Sequence, residues 1–334
     1  MRRRALSAAC AAVFAPVLAA VFVTLALALP STADAQSYPN RPIKVVVPFA
    51  PGGNTDVMGR VLAAKMSELL GQQVAIENRT GAGSVVGTEI VARAAPDGYT
   101  LLLTTVAHAA NPAFYKKLTY DAVKDFDPIG LAAISPLVLE VHPSIPATDT
   151  KSLIKLLKDN PGKYSYGSAG TGSAIFLACE LFKRMAGVDV VHVPYRGAGP
   201  MLNDLVAGQV AMAIDATSTS MPHVNSGALR GLAVSTPTRI KAAPNLPTIA
   251  ETLPGYQGYT WGGLFAPAGT PKPIIAQLAS ALAKTVADPA VRQRMEELGN
   301  EVNENPTPEG LAKFLAEERT KWLTLFEGQD IKLD

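Results

Sequence analysis

Three glycine-rich segments carry the residue types from which an anion site can be built. Pro48-Phe49-Ala50-Pro51-Gly52-Gly53-Asn54-Thr55-Asp56 follows a β-branched run, Lys44 to Val47, and precedes Met58, Val61, Leu62, Met66 and Leu69, which recur at helical spacing. Glycines let backbone approach a ligand, and first-turn amides carry partial positive charge, so an anion fits there, with the Thr55 hydroxyl as a further donor. The alternative is an ordinary helix start capped by Asn54, Thr55 or Asp56. Gly167-Ser168-Ala169-Gly170-Thr171-Gly172-Ser173 stands at the matching place later in the chain, and Asn78-Arg79-Thr80-Gly81-Ala82-Gly83-Ser84 follows a second early strand. Open parallel sheets bind ligands beyond the carboxyl ends of their strands, where all three segments are expected to meet.

Other chemistries lack their residues. Gly81 to Gly87 has one residue too many for G-x-G-x-x-G and does not open its unit, and G-x-x-x-x-G-K-[ST] is absent. No G-x-S-x-G, H-E-x-x-H or C-x-x-C occurs, and His108, His142, His192 and His223 lack metal-ligand spacing. His108, just after a strand, is a candidate for the cleft rim. Cys179 falls within an apolar helix stripe and reads as core. Asp215 ends a strand on the side where the loops gather; it either caps the next helix or accepts a hydrogen bond from a ligand. Arg196, after Tyr195 at another strand end, pairs either with a ligand carboxylate or with a neighbouring acid.

These loops need a scaffold, and β-branched runs alternating with amphipathic stretches predict an α/β fold. Strands are expected at Lys44–Val47, Gln73–Glu77 and Tyr99–Leu103, with helices between, and the rhythm restarts with strands at Lys163–Tyr166, Val190–Val193 and Val210–Ile214. Apolar stretches from Ile129 to Val141 and from Thr260 to Pro267 join the halves, and Trp261 and Phe265 read as hinge packing. Two crossings imply a discontinuous first lobe of residues 36–136 plus 259–334 and a second of 137–258, with a cleft between them. The tail from Pro271 to Leu298 is expected to pack back on the first lobe.

Arg2, Arg3 and Arg4, an apolar run from Ala5 to Leu29, and Ala33-Asp34-Ala35 have the layout of a secretory signal peptide over residues 1–35, cleaved before Gln36. Its removal leaves basic and acidic residues equal in number, which gives nucleic acid no reason to bind. It also leaves Cys179 as the sole cysteine, so no intramolecular disulfide forms.

The motifs together resemble the Bug family, the periplasmic solute-binding receptors of tripartite tricarboxylate transporters. The matching residues are Tyr38-Pro39-x-Arg41-Pro42-Ile43, Val46-Val47-Pro48-Phe49-x-Pro51-Gly52-Gly53-x-Thr55-Asp56, Glu77-Asn78-Arg79-x-Gly81-Ala82-Gly83, Ala95-Pro96-Asp97-Gly98-Tyr99-Thr100-Leu101, His192-Val193-Pro194-Tyr195 and Ala266-Pro267-Ala268-Gly269-Thr270-Pro271. The resemblance implies a two-lobed type II, Venus-flytrap binding protein, each lobe a mostly parallel sheet flanked by helices, with the crossover strands as hinge. It implies a carboxylate held by Phe49, Gly53, Asn54, Thr55, Asp56, Gly83 and Ser84 of the first lobe and by Ser168, Thr171, Gly172, Ser173 and Asp215 of the second. Ala50, Asn54 and Ser84 depart from the family pattern, where Pro, Ser and Gly are common. The expected partners are a small carboxylate and the membrane subunits of the transporter, or else a sensor protein. The chain is expected to act as a monomer, without cofactor or catalysis, the alternative being a secreted hydrolase.

Overall fold

The computed structural model describes residues 38–115 and 117–327; the signal-peptide segment lies outside them. Burial decides the first sheet. Strand β1 (Ile43–Val47) is buried at four of its five positions and pairs in parallel with β2 (Val74–Asn78) and β3 (Thr100–Thr104), as expected for apolar strands covered on both faces. Helix α1 (Asn54–Leu70) joins β1 to β2 and ends at Gly71, whose φ of 67° is the left-handed conformation that closes a helix. Helices α2 (Val85–Ala92) and α3 (Val106–Phe114) follow β2 and β3.

The first crossing is two strands, β4 (Phe126–Ser135) and β5 (Leu137–Val141), because Pro136 cannot donate to a continuous ladder. β4 stays in the first sheet and β5 enters the second. That second sheet adds β6 (Ser165–Ser168), β7 (Val191–Pro194), β8 (Met212–Ala216) and β9 (Arg230–Val234) in the order β7-β6-β8-β5-β9. Its helices are α4 (Thr150–Asp159), α5 (Ala174–Ala186), α6 (Ala198–Val206) and α7 (Thr217–Asn225). The return crossing is β10 (Thr260–Pro267), followed by α8 (Lys272–Ala287), α9 (Pro289–Glu297), β11 (Glu301–Val302) and α10 (Pro308–Phe326). The first sheet therefore reads β11-β4-β10-β3-β1-β2.

Parallel pairing holds at β2-β1-β3 and at β7-β6-β8, while β10, β11 and β5 run antiparallel to their neighbours, so each sheet is mixed. The tail does return to the first lobe, with α8 against α1 and β4. Two features had no clear sequence signal: the edge strand β9, whose Gly231 interrupts its pattern, and α10, which packs on α3 and β4.

Helix α10 fixes the return crossing through one carboxylate. Glu318, almost wholly buried, accepts hydrogen bonds from the indole Nε1 atoms of Trp261 and Trp322, each at 3.1 Å, and pairs with Lys321 at 2.6 Å. Trp261 and Phe265 are both buried, as expected of packing residues at the crossing. Glu318→Ala would orphan two buried indole donors and should lower the unfolding free energy by about 2–4 kcal/mol, read from urea midpoints at unchanged m.

Candidate functional site

Between the sheets lies a cleft of about 760 Å³. The first lobe contributes the turn after β1, Pro48 to Thr55, and the turn after β2, Thr80 to Ser84. The second contributes the turn after β6, the Tyr195–Pro200 segment after β7, and Asp215 with Thr219 near the end of β8; Leu137 and Thr260 come from the crossings. The register explains the gathering. Val47 pairs with Asn78 and Ser168 with Pro194, so parallel strands finish level and their turns open on one edge.

Four helices begin at this cleft without a side-chain cap. The N-cap residues are Gly53 for α1, Ser84 for α2, Gly197 for α6 and Ala216 for α7, and none makes a side-chain hydrogen bond into its helix. Their first-turn amides lack an intrahelical acceptor, and the helix dipole adds partial positive charge. Helix α5 differs, because Ser173 Oγ accepts from the Phe176 amide at 3.3 Å. Formal charge is sparse: of the residues lining the cleft, only Arg196 and Asp215 bear any.

Phe49, Gly53, Asn54, Thr55, Gly83, Ser84, Ser173 and Asp215 all line the cleft. Asn54 also ties the lobes, donating from Nδ2 to Ser135 Oγ at 2.9 Å and accepting at Oδ1 from Ser218 Oγ at 3.1 Å. Arg196 lies exposed on the cleft wall and has no ion-pair partner among the described residues. Five other expected residues stand elsewhere. Asp56 is buried behind the first turn, where it accepts from the Gly52 amide, Arg60 and Asn78 Nδ2. Burial pushes its carboxyl up, but these bonds outweigh burial and hold it below the usual carboxylate value. Its work is to shape the turn.

Ser168 is fully buried, with its Oγ 2.7 Å from His192 Nε2 and accepting from the Gly170 amide. Thr171 and Gly172 abut the opposite lobe at Gly83. His108 is enclosed by Tyr120, Phe126 and Phe265, with Nε2 2.8 Å from the Ala122 carbonyl, and burial lowers its pKa to about 4. A histidine one turn beyond a strand end points into the core here because α3 packs its apolar face inward. Sequence reasoning passed over Gly197 to Pro200, although Gly-x-Gly-Pro at a strand–helix turn is the same kind of uncapped start. Among the described residues, no group of three or more His, Cys, Asp or Glu could hold a metal ion.

The comparisons with known proteins agree with this geometry. The model of the tripartite tricarboxylate transporter family receptor matches residues 58–331. The chain belongs to that receptor family. BugT of Bordetella pertussis is 35% identical over 320 residues, 95% of this chain and 97% of that one. The receptor fold also superposes on MatC from Rhodopseudomonas palustris with bound malate, at 37% identity and TM-score 0.82 over 87% of this chain and 100% of that one. R. palustris Rpa4515 with adipate aligns at 36% identity and TM-score 0.82, covering 86% of this chain and 97% of that one. The chain is thus a receptor of the periplasmic binding type, with the two-lobed fold expected of it.

Asp215 shows how this receptor's cleft is tuned. It is fully buried, its pKa is raised to about 6 by burial, and Thr219 Oγ1 donates to it at 2.7 Å. Glu140, on the neighbouring strand, is likewise buried and is held well above its usual value by burial and by Asp215. A carboxyl whose pKa rises on folding stabilises the fold only while protonated, so stability falls as pH climbs through about 6. Asp215→Asn should therefore stabilise the ligand-free protein by about 2–3 kcal/mol at pH 7.5, with the gain vanishing below about pH 4, measured by urea unfolding across pH.

Proposed function

We propose that this receptor captures a small carboxylate between its lobes and delivers it to the membrane subunits of a tripartite tricarboxylate transporter. The observation that carries the reading is the meeting of uncapped helix starts on a cleft almost free of formal charge. Backbone amides and small hydroxyls bind a carboxylate without a salt bridge, and they suit a receptor that must also release it. The bound malate and adipate of the two similar structures are dicarboxylates, in keeping with a di- or tricarboxylate, an aromatic carboxylate or a related acid here. The ligand set is Phe49, Gly53, Asn54, Thr55, Gly83 and Ser84 from the first lobe, residues 36–136 plus 259–334. From the second lobe, residues 137–258, it is Ser173 and Asp215, with Arg196 meeting a distal anionic group.

The protein acts in the periplasm as a monomer after cleavage of the signal peptide near Ala35-Gln36. It performs no chemistry on its ligand. Ser168 and His192 have the contact a serine nucleophile needs, but Ser168 is buried, its Oγ already accepts from the Gly170 amide, and it does not line the cleft.

Thermal unfolding with malate, adipate, citrate, benzoate and a neutral sugar tests the reading. A carboxylate at a hundred times its dissociation constant should add about 2.7 kcal/mol of stability. A shift with the sugar and with none of the acids would sink it. Thr55→Ala should weaken the best carboxylate about tenfold, and Arg196→Gln should weaken dicarboxylates about tenfold while changing benzoate less than about twofold, both by calorimetric titration.

A further inference from the structure

The turn after β2 is the most contorted backbone in the cleft. Gly81, Ala82, Gly83 and Ser84 have φ of 144°, 44°, 58° and 86°, four successive residues in a region that favours glycine, two of which carry side chains. Non-glycine residues held there cost on the order of 1 kcal/mol each and persist only where surroundings enforce them. Asn111 on α3 supplies that enforcement. It is fully buried, and its Nδ2 reaches the Gly83 carbonyl at 3.3 Å, Ser84 Oγ at 3.1 Å and Tyr120 Oη at 3.3 Å.

The other end of the same amide is unspent. Asn111 Oδ1 is buried without a hydrogen-bond partner among the described residues. It faces the second lobe, since a Cβ built on Gly172 would stand 3.0 Å from it. Beside it the lobes touch backbone to backbone: a Cβ on Gly83 would stand 2.5 Å from the Thr171 carbonyl oxygen. A buried acceptor with no donor costs about 1–3 kcal/mol, so its retention calls for a state that satisfies it.

We propose that Asn111 is a positioning residue of the receptor. Its nitrogen holds the Gly81–Ser84 turn in the shape that presents amides to the ligand, and its oxygen accepts from the Gly172 turn as the lobes come together. One side chain then couples anchoring of the ligand to apposition of the lobes. The ligand half of this inference rests on the carboxylate reading above; the loop half does not.

The test measures the halves separately, by hydrogen exchange of segment 81–86 without ligand and by calorimetric titration of malate and adipate. Asn111→Leu, of the same branched shape and without polar atoms, should speed exchange of segment 81–86 about tenfold and leave segment 54–57 within about twofold. It should weaken whichever acid binds the wild type about tenfold. Unchanged exchange overturns the positioning role, and faster exchange with unchanged affinity overturns the coupling. Faster exchange in a protein whose wild type binds neither acid supports the positioning role and counts against the carboxylate reading alone. If Asn111→Leu does not fold, Asn111→Ala removes both ends of the amide without adding bulk. It should weaken binding about tenfold and leave the lobes further apart by small-angle scattering, and wild-type values for both would overturn the proposal.

Discussion

Parallel pairing is the constraint on which the site depends. Strands that run the same way and finish level must each turn over the same edge of their sheet, and the helices that follow must all start there. Val47 beside Asn78 in one lobe and Ser168 beside Pro194 in the other are the register pairs that enforce this. The polar ends of helices then converge with few charged side chains beside them, Arg196 and Asp215 alone among the cleft lining. Leaving those ends uncapped costs stability, and under the proposed carboxylate reading that cost is the counterpart of the affinity for an anion.

The crossings convert two sheets into one receptor. Pro136 divides what would be a single long strand, so that β4 belongs to one lobe and β5 to the other. The return strand β10 is anchored from behind by Glu318 and its two indoles, in the region that joins the two sheets. Asn54 joins the cleft to that region by linking Ser135 at the end of β4 with Ser218 on α7. A residue that lines the cleft is thus also bonded to the crossing, and the cleft wall and the joint between the lobes share atoms.

Much of this was legible from sequence because it is local. Glycines between a β-branched run and an apolar stripe mark a strand–helix turn, and the order of such turns sets the topology; β10 begins and ends where its apolar run does. What escaped depends on direction or on distant neighbours. Asp56 and His108 have the residue types of ligand contacts, yet Arg60 and Asn78 claim the first and an aromatic cage encloses the second. Asn111 drew no notice, since an asparagine ahead of a proline inside a helix has no motif of its own, and its partners Gly83 and Ser84 lie 28 and 27 residues upstream. The family resemblance pointed to these loops, but only the packing separates the residues that face the cleft from Thr171 and Gly172, which face the other lobe.

The contact between Gly83 and Thr171 has a consequence for how such receptors diversify. Where two backbones meet with no room for a β-carbon, mutation has nothing to vary, and that flank of the cleft is frozen in its chemistry. Divergence toward new nutrients is therefore channelled to the opposite wall, where Tyr195, Arg196 and the Gly197–Pro200 segment line open space. Receptors that keep the Gly83–Thr171 contact can still differ in what they accept through a few positions on that wall.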